Sequence, residues 1–233
     1  MDLLPRGDET AALWLSMQVA LLCTVVLTVP SIVVGTALAR WHWTGKSVVE
    51  VLIHLPLVLP PVATGYLMLL ALGPRTLPGG MARWILGHDL AFSLAAAVLA
   101  AAVVSFPLAV RSIRLAVELV DRRLEQAAST LGASPVDVWW SVTLPLALPG
   151  VLTGLVLAFT RSLGEFGATI VFAGNIAGET RTLPLSLFTA TQVPGGESAA
   201  LRLMLLSVSL SFVTLLASEW MALRLRRRLG AAA

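Results

Sequence analysis

The chain is 233 residues long, 57% apolar and only 12% charged, with a mean hydropathy of +0.87. Soluble domains carry about 25% charged residues, so the composition excludes an ordinary soluble globular domain and points to one integral membrane domain spanning 1–233. The 16 basic and 13 acidic residues leave a net charge of +3, and they bunch between apolar blocks rather than forming a basic, aromatic-interleaved surface, which argues against nucleic-acid binding.

Met1–Glu9 carries Asp2, Asp8 and Glu9 against Arg6. It lacks the basic start of a cleavable signal peptide, so the first apolar block is expected to be retained. That block, Thr10–Ala39, contains no Asp, Glu, Lys or Arg. It holds Cys23, the only cysteine, so an intrachain disulfide is excluded. His42, His54 and His88 lack metal-ligand spacing, and neither a metal nor a cofactor is expected. The second block, Val51–Pro74, contains Pro56, Pro60 and Pro61. Each lacks an N–H, which weakens the helix or kinks it. The carbonyls freed in this way need protein or water, so the segment should be buried or line a cavity. A gate or pore wall and a fixed kink both fit these residues. The third block is Leu90–Val110.

Arg111–Val142 is a polar loop with local order of its own. Leu124–Leu131 is rich in helix formers, and Gly132 suits the left-handed residue that ends a helix. Ser134-Pro135-Val136-Asp137 then reads as a new helix start, with Ser134 as cap, Pro135 in the first turn and Asp137 at the positive end of the dipole. Trp139 and Trp140 suit the membrane interface. The fourth block, Val138–Thr160, stays apolar past Arg161 to Phe172. Arg161 and Glu165 are spaced for one helix face, and charges at membrane depth face protein or a wet cavity and usually pair. They fit either a path for a dianion or a brace between helices. Gly150-x-x-x-Gly154 followed by Ala158 marks a close-packing face.

Gly174–Ala199 contains the turn signal Pro194-Gly195-Gly196. Within it, Ser186–Val193 is apolar but too short to span, and should dip into one face of the membrane or lie along it. The last block is Leu203–Ser218, extended by Ser198–Leu201 and Trp220–Leu223. About 20 apolar residues cross a bilayer as a helix, so the expected fold is all-α and integral to the membrane, with about five transmembrane helices. Arg40 and Lys46, then Arg111, Arg114, Arg122 and Arg123, then Arg224, Arg226, Arg227 and Arg228 outnumber Arg6, Arg75, Arg83, Arg181 and Arg202 on the other connections. Basic residues stay cytoplasmic, so the amino terminus is expected outside, in the periplasm, with the Arg111–Val142 loop and the carboxyl tail inside.

The loop residues resemble the coupling loop of ABC-importer permeases: Glu-Ala-Ala, three residues, Gly, nine residues, then Ile-x-Leu-Pro. Ala127, Ala128, Gly132, Val142, Leu144 and Pro145 fall on that pattern. Gln126 stands at the glutamate position and Glu125 precedes it, which leaves two side chains for the family's acidic contact. The resemblance implies a type I permease whose loop docks on a separate ATPase. The chain has no phosphate-cradling G-x-x-x-x-G-K-[ST] of its own; at Gly45-Lys46-Ser47 the first glycine is replaced by Arg40.

Two further stretches, His54-Leu55-Pro56-Leu57-Val58-Leu59-Pro60-Pro61-Val62-Ala63-Thr64-Gly65-Tyr66 and Ala158–Thr169 with its Gly164-Glu165-Phe166-Gly167-Ala168 core, continued by Asn175–Pro184, are similar to molybdate permeases of the bacterial inner membrane. The glycine-glutamate core is shared with sulfate and thiosulfate permeases, and tungstate is chemically close to molybdate. The resemblance implies a homodimer, two cytoplasmic ABC ATPase subunits and a periplasmic oxyanion-binding protein. A passive channel would have no use for the Gln126–Gly132 loop. A membrane enzyme would need clustered catalytic groups, which Cys23, His54, Arg161 and Glu165 do not form in sequence.

Overall fold

A computed structural model describes residues 7–228, so the Asp2 and Arg6 part of the amino-terminal reading lies outside the described residues, as do the side chains of Arg226, Arg227 and Arg228. Among the described residues the regular structure is helical: α1 (Gly7–Arg40), α2 (Lys46–Val58), α3 (Pro61–Leu72), α4 (Leu77–Leu86), α5 (Leu94–Glu118), α6 (Arg122–Thr130), α7 (Pro135–Val138), α8 (Leu144–Leu163), α9 (Gly167–Phe172), α10 (Leu183–Gln192) and α11 (Glu197–Arg228). A π-helical turn, Trp139–Thr143, joins α7 to α8.

Among the described residues four single helices are long and apolar enough to cross a membrane: α1, α5, the joined Pro135–Leu163 helix, and Glu197–Ser218 of α11. The second apolar block is the fifth candidate span if its bent pair of helices counts as one. It forms α2 and α3, set at 117° to one another. The cause is local. Leu59 precedes Pro60 and Pro60 precedes Pro61, and a residue before proline is pushed out of the helical region. Both are extended, with ψ of 143° and 131°. The expected burial of this segment holds for α3, which buries Thr64, Gly65 and Met68. α2 has no buried residue within the single chain, and it touches the bundle along α5, where its Glu50 pairs with Arg114 at 2.8 Å.

The bundle is organised around α5, which packs against α1 on one side and α8 on the other. Its buried surface is rich in alanine, with Ala96, Ala97, Ala100, Ala101 and Ala109 set beside Val104, Val110 and Ile113. Lipid is as apolar as leucine, so helices in a membrane associate through close packing and not through burial from water. The glycines allow that approach. A Cβ on Gly35 of α1 would lie 2.8 Å from Ile113, and one on Gly150 of α8 would lie 2.1 Å from the Cβ of Ala116. Gly154 leaves 3.0 Å to the carbonyl of Ala109, and Ala158 is fully buried. The Gly150–Gly154 face is thus the α5 contact. Ser112 Oγ adds a hydrogen bond to the Gly150 carbonyl at 2.9 Å.

At the end of the bundle where α1 begins, the short α10 is tucked between α1 and α11, with Leu183 and Leu185 buried. The Leu183 amide donates to Ser16 Oγ at 2.7 Å, and Arg202 of α11 pairs with Glu9 of α1 at 2.7 Å inside the protein. The start of α10 is thus anchored in the bundle end, while Ser186–Val193 has no buried residue.

Replacing Gly154 by leucine should force α5 and α8 apart and destabilise the protein by about 1–3 kcal/mol. Gly80, whose Cβ position meets nothing within 4 Å, provides the control. Thermal unfolding in detergent should show a lower midpoint for Gly154→Leu and little change for Gly80→Ala.

Candidate functional site

Two places gather the residues singled out from sequence. The first is the polar elbow α6–α7. Asp121 caps α6, its carboxylate accepting from the Arg123 amide at 2.9 Å. α6 ends where Gly132 takes the left-handed conformation, φ 93°, a backbone state that costs a residue with a Cβ roughly 1 kcal/mol or more. Ser134 then starts α7 with a reciprocal capping box. Its hydroxyl accepts from the Asp137 amide, and the Asp137 carboxylate accepts from the Ser134 amide, both at 3.2 Å.

The π-turn that follows has a sequence cause. Pro145 lacks the N–H that would bond the Ser141 carbonyl, and its ring crowds that carbonyl. A widened turn accommodates both, with the Leu144 amide reaching back to Trp139 O. Pro145 is exposed, while Leu144 packs against the buried cluster of Ala39, Ile113 and Ala147.

Gln126, Ala127 and Leu131 are exposed on the elbow, and Ala128 is half-buried. Glu125 differs from them. Its Oε1 accepts from Arg40 Nη2 at 2.8 Å and from Thr143 Oγ1 at 2.6 Å. Of the two candidates for an acidic contact, Glu125 is turned toward the bundle, and the neighbouring Gln126 is the side chain left on the surface.

The second place lies where two broken helices touch. α8 stops at Leu163, and α9 restarts at Gly167. Arg161 and Glu165 were expected on one face of a continuous helix. Arg161 does occupy the last turn of α8, but Glu165 lies beyond it, in the break. There its Oε1 accepts from the Ala168 amide at 2.9 Å and caps α9. Its Oε2 sits 2.9 Å from Arg161 Nη2, near enough for an ion pair but off hydrogen-bond alignment. The Glu165 side chain is 2% exposed and that of Arg161 31%. A carboxylate so enclosed requires a partner; the guanidinium and the α9 amide supply it.

This break packs against the other one. A Cβ on Gly167 would come within 2.7 Å of Pro61, and a Cβ on Gly65 within 2.6 Å of the Ala168 carbonyl. The two sequence stretches, about a hundred residues apart, thus form a single junction of Pro61, Gly65, Glu165 and Gly167. Pro60 and Pro61 are exposed, and Pro56 sits apart within α2. Phe188 of α10 covers the break, its ring 5.1 Å from that of Phe166.

Sequence reading missed Arg40 and Thr143. In sequence Arg40 figures as an orientation-setting charge and as the residue that breaks a phosphate-loop pattern, and no local signal links it to a residue 85 positions away. Thr143 falls on the unspecified position of Val142-x-Leu144-Pro145. Gly65 and Gly167 were within the quoted stretches, but only the fold assigns them a contact.

Residues 31–227 match the family described as binding-protein-dependent transport system inner membrane component. The molybdenum transport system permease protein ModB of Haemophilus influenzae is 51% identical over 223 residues, covering 95% of this chain and 97% of that one. The protein of the same name from Mycobacterium tuberculosis is 44% identical over 209 residues, 89% of this chain and 78% of that one. Among solved structures, a bacterial ABC transporter involved in import of the polysaccharide alginate superposes with a TM-score of 0.72 at 14% identity, covering 94% of this chain and 80% of that one. The inward-facing MetNI methionine ABC transporter gives 0.69 at 18% identity, with coverage of 91% and 93%. These two likenesses establish the fold. The chain belongs to the family of binding-protein-dependent transport system inner membrane components.

Proposed function

We propose that this chain is the permease subunit of an ATP-driven importer that carries molybdate across the bacterial cytoplasmic membrane. It acts as a homodimer with two cytoplasmic ABC ATPase subunits and a periplasmic oxyanion-binding protein. The observation that carries the substrate assignment is 51% identity, over 95% of this chain, to proteins named as molybdenum transport permeases. A fold match to a transporter in complex with its ligand-bound periplasmic protein supports an outer partner of that kind.

The distribution of basic residues supports an amino terminus outside, with the α6–α7 elbow and the carboxyl tail inside. The exposed Gln126, Ala127 and Leu131 then face the ATPase. Closure of the ATPases on ATP pushes the elbows, and the helices rock between outward and inward openings. No bond in the substrate is made or broken.

The junction of broken helices is the translocation path in this reading. Arg161, partly exposed, favours the passing dianion, and the Glu165 carboxylate beside it keeps the anion from binding tightly. Pro60 and Pro61 form the gate at the same junction, with Pro56 allowing α2 to flex. The burial of Glu165 favours a second reading, in which the pair braces the break and never meets the anion.

In proteoliposomes holding the full complex, labelled molybdate should accumulate only with ATP and binding protein, and excess sulfate should leave uptake unchanged. Equal competition by sulfate overturns the substrate assignment, and accumulation without ATP overturns the class. Arg161→Gln combined with Glu165→Gln should lower uptake about tenfold, equivalent to ~1.4 kcal/mol, while the complex stays assembled. Normal uptake by that double variant would leave the pair a brace.

A further inference from the structure

α6 is fastened to the bundle chiefly through one oxygen atom. Glu125 Oε1 receives both Arg40 Nη2 and Thr143 Oγ1. The same Arg40 nitrogen donates to the Val120 carbonyl at 3.2 Å. The last turn of α1, the chain leaving α5, α6 itself and the π-turn ahead of α8 therefore meet at a single point. Otherwise α6 packs mainly against the π-turn and α7.

The environment makes this point stiff. The Arg40 and Glu125 side chains are 16% and 19% exposed, and Thr143 is buried. A shielded charge pair is weakly screened by salt, and removing one member leaves the other enclosed without its counter-charge. Arg40 serves the carboxylate and the carbonyl with the two N–H groups of Nη2 alone, while its Nε is buried without a hydrogen-bond partner. Arg40 also closes α1, where a cation favours the negative end of the helix dipole.

We propose that Arg40 is a positioning residue for transport: its pair with Glu125, closed by Thr143, carries displacement of α6 into α1 and α8. Glu125 is the inner rivet of the elbow, and Gln126 and Leu131 form its outer face. The proposal rests on the reading that α6 docks on an ATPase.

A mutant cycle in the reconstituted complex tests it, reading molybdate taken up per ATP hydrolysed. Arg40→Met and Glu125→Gln should each lower that ratio roughly fivefold or more, with the ATPase still co-purifying. The double variant should be no worse than the poorer single one. A wild-type ratio in the singles, or losses that multiply in the double, overturns the clamp. Should Arg40→Met fail to assemble, the cycle of Arg40→Lys with Thr143→Val applies the same criterion to milder changes. Leu131→Asp, on the exposed face of the elbow, tests the docking reading separately and should abolish co-purification. Retained ATPase and normal uptake there overturn docking. Lost ATPase there, together with an unchanged Arg40→Met, overturns the clamp alone.

Discussion

Lipid offers no hydrogen-bond partner to a backbone, and this chain interrupts two of its apolar helices. Each interruption leaves amides or carbonyls that must be satisfied by protein. The structure meets this demand inside each break, where the Ala63 amide returns to the Pro60 carbonyl and the Glu165 amide to the Ser162 carbonyl, and it presses the two breaks together. Glycines at 65 and 167 let the backbones touch, and the Glu165 carboxylate supplies the α9 amide with an acceptor. Arg161 then follows as a consequence, since a buried carboxylate without a counter-charge would be prohibitively costly. The prolines, the glycines and the ion pair thus meet at one junction.

α8 connects this junction to the elbow. Its 20 residues make a rod of about 30 Å at 1.5 Å per residue. A π-turn lies at one end and a glycine break at the other, so its two irregular points coincide with the two places where function is proposed. Between them Gly150, Gly154 and Ala158 hold it tightly against α5. A stiff middle with deformable ends suits a helix that transmits motion, because packed interiors shift between discrete arrangements and do not stretch.

The elbow shows how a short motif divides its labour. Ala127, Gln126 and Leu131 stay on the surface, Gly132 reverses the chain, and Ser134 with Asp137 restarts it. Glu125, one residue ahead of the expected acidic position, turns inward to Arg40 and Thr143. On a helix, neighbouring residues point about 100° apart, so a shift of one position is enough to exchange an outward contact for an inward one.

Much was legible in the sequence because it rests on local chemistry. Charge-free blocks define apolar helices, Gly132 and Ser134 mark helix ends, and Gly150 and Gly154 mark a close contact; all need only neighbours along the chain. Proline effects were legible in kind but not in size. That Pro60 and Pro61 disturb a helix follows from their missing N–H groups, whereas a 117° bend depends on what α3 packs against. The meeting of Pro61 with Gly167, the placement of Glu165 outside its helix and the pairing of Arg40 with Glu125 were decided by tertiary structure alone. These contacts join residues far apart in sequence, and it is three-dimensional packing, not local propensity, that determines which buried charge finds which partner.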